Sequence, residues 1–261
     1  MKRVHLIPLV FLACIPAAAL AASPFDGTWK LRANDVKFPQ KPSVYVLDHG
    51  QYECKSCVPS IKVAADGTDQ KVTGHSTYDS ITVRVVNATT VETTSKLGGR
   101  LLDTSTMTVS ADGSTMTTKD VDVSGAQPAT YVTKAKRVAP APAGSHAISG
   151  SWQTTSLESA SDSGSLVTYQ GTDNGLKMSA NGVSYDAKFG GPSVPITNDP
   201  THTMAALKRI NANTIQETDS RGGKPVDIAT MTVSADGKSL AVKDNNVESG
   251  RSFEYVLVKQ P

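Results

Sequence analysis

Two cysteines three apart, in Cys54-Lys55-Ser56-Cys57, are the residues best placed for chemistry. A pair at this spacing can close a disulfide, share a metal ion, or act as a redox dithiol. A metal knuckle needs two further ligands, and only His49 and His75 lie nearby. That set, Cys54, Cys57, His49 and His75, suits zinc by donor type but not by spacing. A redox dithiol wants a thiol at a helix N-terminus, whereas Pro59 here leads into the strand-like Ile61-Lys62-Val63. Haem attachment is disfavoured because Val58, not His, follows Cys57. For a chain with export features the disulfide is the expected state.

The other reactive residue types form no catalytic pattern. Serines are abundant, yet no Gly-x-Ser-x-Gly elbow occurs. The histidines beyond residue 21 are His49, His75, His146 and His202, and none recurs at the chain's internal repeat. Asp103 and Asp227 do recur, each a few residues after a Gly-Gly pair, and are expected on an outward strand face. Asn87-Ala88-Thr89 is a glycosylation sequon, relevant only to a eukaryotic source. The expectation is therefore a non-enzymatic protein without a cofactor.

The frame around these residues is a duplication. Thr106 to Gly113 recurs letter for letter as Thr230 to Gly237, an offset of 124. The same offset pairs Asn87-Ala88 with Asn211-Ala212 and Gly98-Gly99 with Gly222-Gly223. It places Met178 and Asn181 opposite Cys54 and Cys57, so the fold does not require the cysteines. Near the front of each copy, Gly27-Thr28-Trp29 answers Gly150-Ser151-Trp152 at an offset of 123. A repeat of this length predicts two similar domains.

Within each copy the hydrophobic period is two. Ile81-Thr82-Val83-Arg84-Val85 and Met107-Thr108-Val109-Ser110 alternate as half-buried strands do. Gly-Gly and Asp-Gly pairs supply tight turns between them. The segment from Leu157 to Ser165 is Ser-rich and is expected to be loop. The prediction is an all-β protein of two tandem antiparallel meander β-barrels, about eight strands each. Residues 22–137 form the first repeat, the Ala/Pro-rich segment 138–147 a semi-rigid linker, and residues 148–261 the second repeat.

Lys2 and Arg3, an apolar run over residues 6–15 and Ala19-Leu20-Ala21 predict a signal peptide over residues 1–21 and a periplasmic or secreted protein. A lipidated Cys14 is the rival, opposed by Phe11 and by the apolar run continuing past Cys14. The chain has 26 Lys+Arg and 24 Asp+Glu. Both basic residues of the signal fall in the removed segment, so the remainder is neutral. A neutral chain without basic clusters argues against a nucleic-acid partner. No later run predicts a membrane span.

Gly-x-Trp on the first strand of an all-β meander resembles the calycins: lipocalins, fatty-acid-binding proteins and avidins. The chain is similar to exported bacterial lipocalin-like two-repeat proteins of uncharacterised function, through Asn87 to Val91 with Thr108 to Gly113, and Asn211 to Ile215 with Thr232 to Gly237. The resemblance implies that Trp29 and Trp152 each close one end of a barrel. It also implies a small hydrophobic ligand inside. Arg251, in Arg251-Ser252-Phe253, is the nearest echo of the carboxylate-holding Arg-x-Tyr of the fatty-acid-binding barrels. The alternative is a structural or protein-binding envelope protein with filled barrels.

Overall fold

A computed structural model describes residues 23–261. The segment expected to be a signal peptide, with Cys14, lies outside the described residues. The first repeat gives β1 (Gly27–Leu31), β2 (Ser43–Asp48), β3 (Gln51–Cys54), β4 (Ile61–Ala64), β5 (Asp66–Lys71), β6 (Ser80–Asn87), β7 (Thr90–Leu97), β8 (Arg100–Val109), β9 (Thr115–Asp122) and β10 (Ala129–Ala139). The second gives β11 (Gly150–Ala160), β12 (Leu166–Thr172), β13 (Gly175–Ala180), β14 (Val183–Lys188), β15 (Val194–Pro195), β16 (Met204–Arg209), β17 (Thr214–Arg221), β18 (Lys224–Val233), β19 (Ser239–Asn246) and β20 (Arg251–Lys259). One turn of helix, α1 (Asp162–Ser165), forms in the Ser-rich stretch expected to be loop. No helix among the described residues is long and apolar enough to cross a membrane.

The protein is all-β, with two nearly closed antiparallel sheets of ten strands rather than about eight. The difference lies in the front half of each repeat, where strands as short as the two-residue β15 carry too little alternation to be seen. Barrel 2 closes through the bridges Ser184 to Thr197 and Phe189 to Leu207. The two repeats follow one plan: β8 and β18 share the same burial sequence residue by residue, as do β7 and β17.

The sheets do not follow the repeat boundaries. Barrel 1 runs β4-β3-β2-β11-β10-β9-β8-β7-β6-β5, and barrel 2 runs β14-β13-β12-β1-β20-β19-β18-β17-β16-β15. Each repeat gives its Gly-x-Trp strand to the other barrel. The division at residues 22–137 and 148–261 therefore describes the duplication but not the folded units. The segment 138–147 is likewise no spacer. It turns β10 back onto β11, its antiparallel neighbour, as consecutive strands prefer. Ile148 and Ser149 are fully buried against barrel 1. His146 N–H donates to Leu47 O at 2.9 Å, and its Nε2 lies 2.7 Å from Asn87 O.

With β11 in barrel 1, the slot between β12 and β20 is filled by β1. Trp152 therefore sits in the core of barrel 1 and Trp29 in that of barrel 2, both with no exposed surface. The two environments match. Trp29 Nε1 donates to Phe25 O and Trp152 Nε1 to Ile148 O, each at 2.8 Å. A cation from the facing strand covers each ring: Lys259 Nζ at 5.3 Å from the Trp29 centroid, and the Arg137 guanidinium at 4.1 Å from that of Trp152. This explains the glycine of Gly-x-Trp. Gly27 and Gly150 have φ of 119° and 125°, where a side chain is strained. A Cβ on Gly27 would also lie 2.8 Å from Lys259 Cε, and one on Gly150 2.9 Å from Ala139 O.

Candidate functional site

Strands β17, β18 and β19 run side by side, and one face of each looks into barrel 2. Because side chains alternate, the buried Ile215 puts Glu217 and Asp219 on the same face. Met231 does the same for Ala229 and Asp227, and Val242 for Asp244. The result is a cavity of about 550 Å3 with Glu217, Asp219, Asp227 and Asp244 on one wall. Leu31, Val167, Met178, Met231, Val242 and Leu257 form the apolar remainder, with Tyr169 and Tyr255. Leu31 belongs to the exchanged strand, so the first repeat completes this cavity.

The carboxyls are crowded. Tyr185 O–H donates to Glu217 at 2.7 Å, and Asn246 donates to Asp227 at 2.9 Å. Asp219 and Asp244 each keep one oxygen sealed from solvent without a partner. Burial, then the neighbouring Asp219 charge, raises the Glu217 carboxyl well above the usual range. Burial and Asp227 raise Asp219, and the same two causes push Asp244 up to about 6. Burial also raises Asp227. Burial likewise raises the Tyr169, Tyr185 and Tyr255 hydroxyls, which stay neutral donors.

Barrel 1 roofs the cavity. The turn between β9 and β10 lies at its mouth, where Ser124, Gly125 and Tyr131 face in. Asn181 grips that turn, accepting from Gln127 N–H at 3.0 Å and donating to Gln127 O at 2.8 Å. Ala126 N–H donates to Asn181 O at 2.8 Å, and Tyr131 O–H to Gly164 O at 2.9 Å.

The interior of barrel 1 is nearly filled, with a cavity of about 160 Å3. Tyr45 and Tyr52 stack there with centroids 6.1 Å apart, beside Tyr78. At the 124 offset, barrel 2 has Leu176 for Tyr52 and the exposed His202 for Tyr78. At the four acidic positions barrel 1 has Thr93, Ser95, Asp103 and Asp120.

Asp103 and Asp227 thus face inward, which corrects their expected outward placement. The strand parity set by Met107 and Met231 carries them inside. The same parity marks Glu217 and Asp219, which do not repeat at the 124 offset. Val85, expected on an inner face, and its counterpart Arg209 are exposed. Cys54 and Cys57 form a disulfide at the wall of barrel 1. His49 is an exposed turn residue, and His75 stacks on Tyr78 at 4.6 Å. Cys54, Cys57 and His75 line one cleft without His49, both sulfurs are taken up in the disulfide, and no group of three or more His, Cys, Asp or Glu among the described residues could hold a metal. Arg251 does not enter the barrel 2 cavity. It donates weakly to Ser43 Oγ at 3.3 Å and Pro42 O at 3.4 Å, in a cleft of about 270 Å3 between the barrels.

Comparison with protein-family models, with curated proteins and with solved structures finds no match.

Proposed function

We propose that this is an exported, lipocalin-like, non-catalytic binder of a small molecule, with barrel 2 as the binding unit and barrel 1 as a filled partner. The observation that carries the reading is the contrast in internal space, about 550 Å3 against about 160 Å3 on one strand plan. The larger value falls within the roughly 300–1,000 Å3 of small-molecule sites. Its lining divides into an apolar side and a polar side on which the carboxyls converge. The apolar side of the cavity accommodates the hydrophobic ligand expected from the sequence resemblance. The carboxyl wall adds a polar end to it.

Native mass spectrometry of protein purified from its own host tests the proposal. One small molecule per chain is expected. Ala229→Trp, which fills the cavity from β18, should expel it and leave the fold intact. Protein that carries nothing, and binds no apolar probe in titration, would leave the filled-barrel structural role in its place.

A further inference from the structure

Resting on the reading of barrel 2 as a binding unit, we infer that its ligand is an organic cation: an amine on an apolar body, with the ammonium against Glu217, Asp219 and Asp244 and the body against Met178, Met231 and Leu257. The cavity's charge is one-sided. Four carboxyls converge on its inner wall, Asp122 stands at its mouth, and no Lys, Arg or His lines it. None of the ion pairs among the described residues includes Glu217, Asp219, Asp227 or Asp244; the Arg221 charge, near enough to favour the ionised Asp219 and Asp227, makes no salt bridge to them and does not line the cavity. A buried carboxyl without a cation is costly, and proteins resolve it by pairing or by protonation.

Two further observations bear on the ligand. Asp219 Oδ1 and Asp244 Oδ1 each lack a hydrogen-bond partner among the described residues, although Glu217 adjoins Asp219 and the Asn245 backbone adjoins Asp244. Buried oxygens of this kind are rare and call for a missing partner. An ammonium has three donors and no acceptor, which matches a wall rich in acceptors. The second observation is internal to the molecule. Where barrel 1 has no space for a ligand, Thr93 and Ser95 stand in place of Glu217 and Asp219. The strand plan therefore does not need those acids. They occur where there is room for a guest. Tyr169 and Tyr255 add aromatic walls, and such rings favour cations.

The test is calorimetric titration of the full chain with octylamine, octanol and octanoate, which share one apolar body. Octylamine should bind at least tenfold more tightly than octanol, and octanoate most weakly. Glu217→Gln with Asp219→Asn should erase the amine's advantage over octanol. Glu217→Thr with Asp219→Ser, the pair barrel 1 already tolerates, serves if the first double variant folds poorly. Equal binding of octylamine and octanol, or a preference for octanoate, would overturn the cation inference while the binding reading stands. An amine advantage that survives both double variants would overturn the placement of the ammonium. If no octyl compound binds, the binding reading fails with it.

Discussion

In barrel 1 the inward carboxyl of Asp103 accepts a hydrogen bond from Ser95 at 2.7 Å. At the same place in barrel 2, Asp227 stands across the ladder from Asp219, a second acid, on the neighbouring strand. The backbone register is shared; the chemistry is not. Barrel 1 fills its interior with Tyr45, Tyr52 and Tyr78 and has two acids, Asp103 and Asp120, each beside a serine hydroxyl. Barrel 2 leaves space and gathers carboxyls around it. A duplicated strand plan can therefore support a packed core in one copy and a polar cavity in the other, because inward positions alternate with the outward ones and can change without moving the strands.

The strand exchange gives the largest prediction. Trp29→Ala should destabilise barrel 2 and Trp152→Ala barrel 1, each by about 3–5 kcal/mol, as large core truncations do. Amide hydrogen exchange resolves which barrel loses protection. Loss in the barrel of the same repeat would break the exchange. Next come the two cations over the indoles. Arg137 donates to Gly113 O at 2.6 Å, to Ala147 O at 2.8 Å and to Ser149 O, as well as covering Trp152. Arg137→Ala should cost about 2–3 kcal/mol, since several charged hydrogen bonds go with it. Lys259→Ala, which removes only the ring contact, should cost about 0.5–1 kcal/mol. Chemical denaturation separates the two.

In magnitude the disulfide falls between the two cations. Cys54→Ala with Cys57→Ala should cost about 2 kcal/mol, because the closed loop is short and chain-entropy gains grow with loop length. The loss should appear in barrel 1 alone, and thiol titration of the native protein should find no reactive thiol at either position. The smallest effect is the pH response of barrel 2. The Glu217, Asp219 and Asp244 carboxyls are raised in the fold, so the folded state holds their protons more tightly than the unfolded chain. Their contribution is fully present at about pH 4 and is lost as pH rises through the folded values, with Asp244 at about 6. The melting temperature of ligand-free barrel 2 should fall by a few degrees, roughly, from pH 5 to pH 8. Glu217→Gln, Asp219→Asn and Asp244→Asn together should flatten that slope. A slope unchanged in the triple variant would break the contrast between the interiors.

Much of the scaffold was legible because turns and strand parity are local. The offset of 124 from Thr106 to Thr230, the Gly-Gly pairs and the alternation around Val83 and Val109 sufficed for an all-β duplication. The cavity wall was legible too, had parity been carried from Ile215 to Glu217 and Asp219. What misled was the assumption that acids near a tight turn face water. The short strands β5 and β15 were not legible, since a few residues of alternation cannot be told from loop.

Taken alone, the sequence determined that there are two copies, that each is a meander of strands, and where its late hairpins turn. The resemblance carried by Gly-x-Trp added that a tryptophan at the start of each copy closes a barrel end, and the structure supplied the reason for its glycine, a positive φ beneath a covered ring. The tertiary structure decided which barrel receives which tryptophan. Gly27-Thr28-Trp29 and Gly150-Ser151-Trp152 are nearly interchangeable, so no local preference chooses between the slots. The choice follows from connectivity: residues 140–149 turn β11 directly back onto β10, and β1 closes the barrel left open. Only that arrangement brings Leu31 and the β9–β10 turn to the carboxyl-lined space of barrel 2, because cavities form between elements that the chain order keeps far apart.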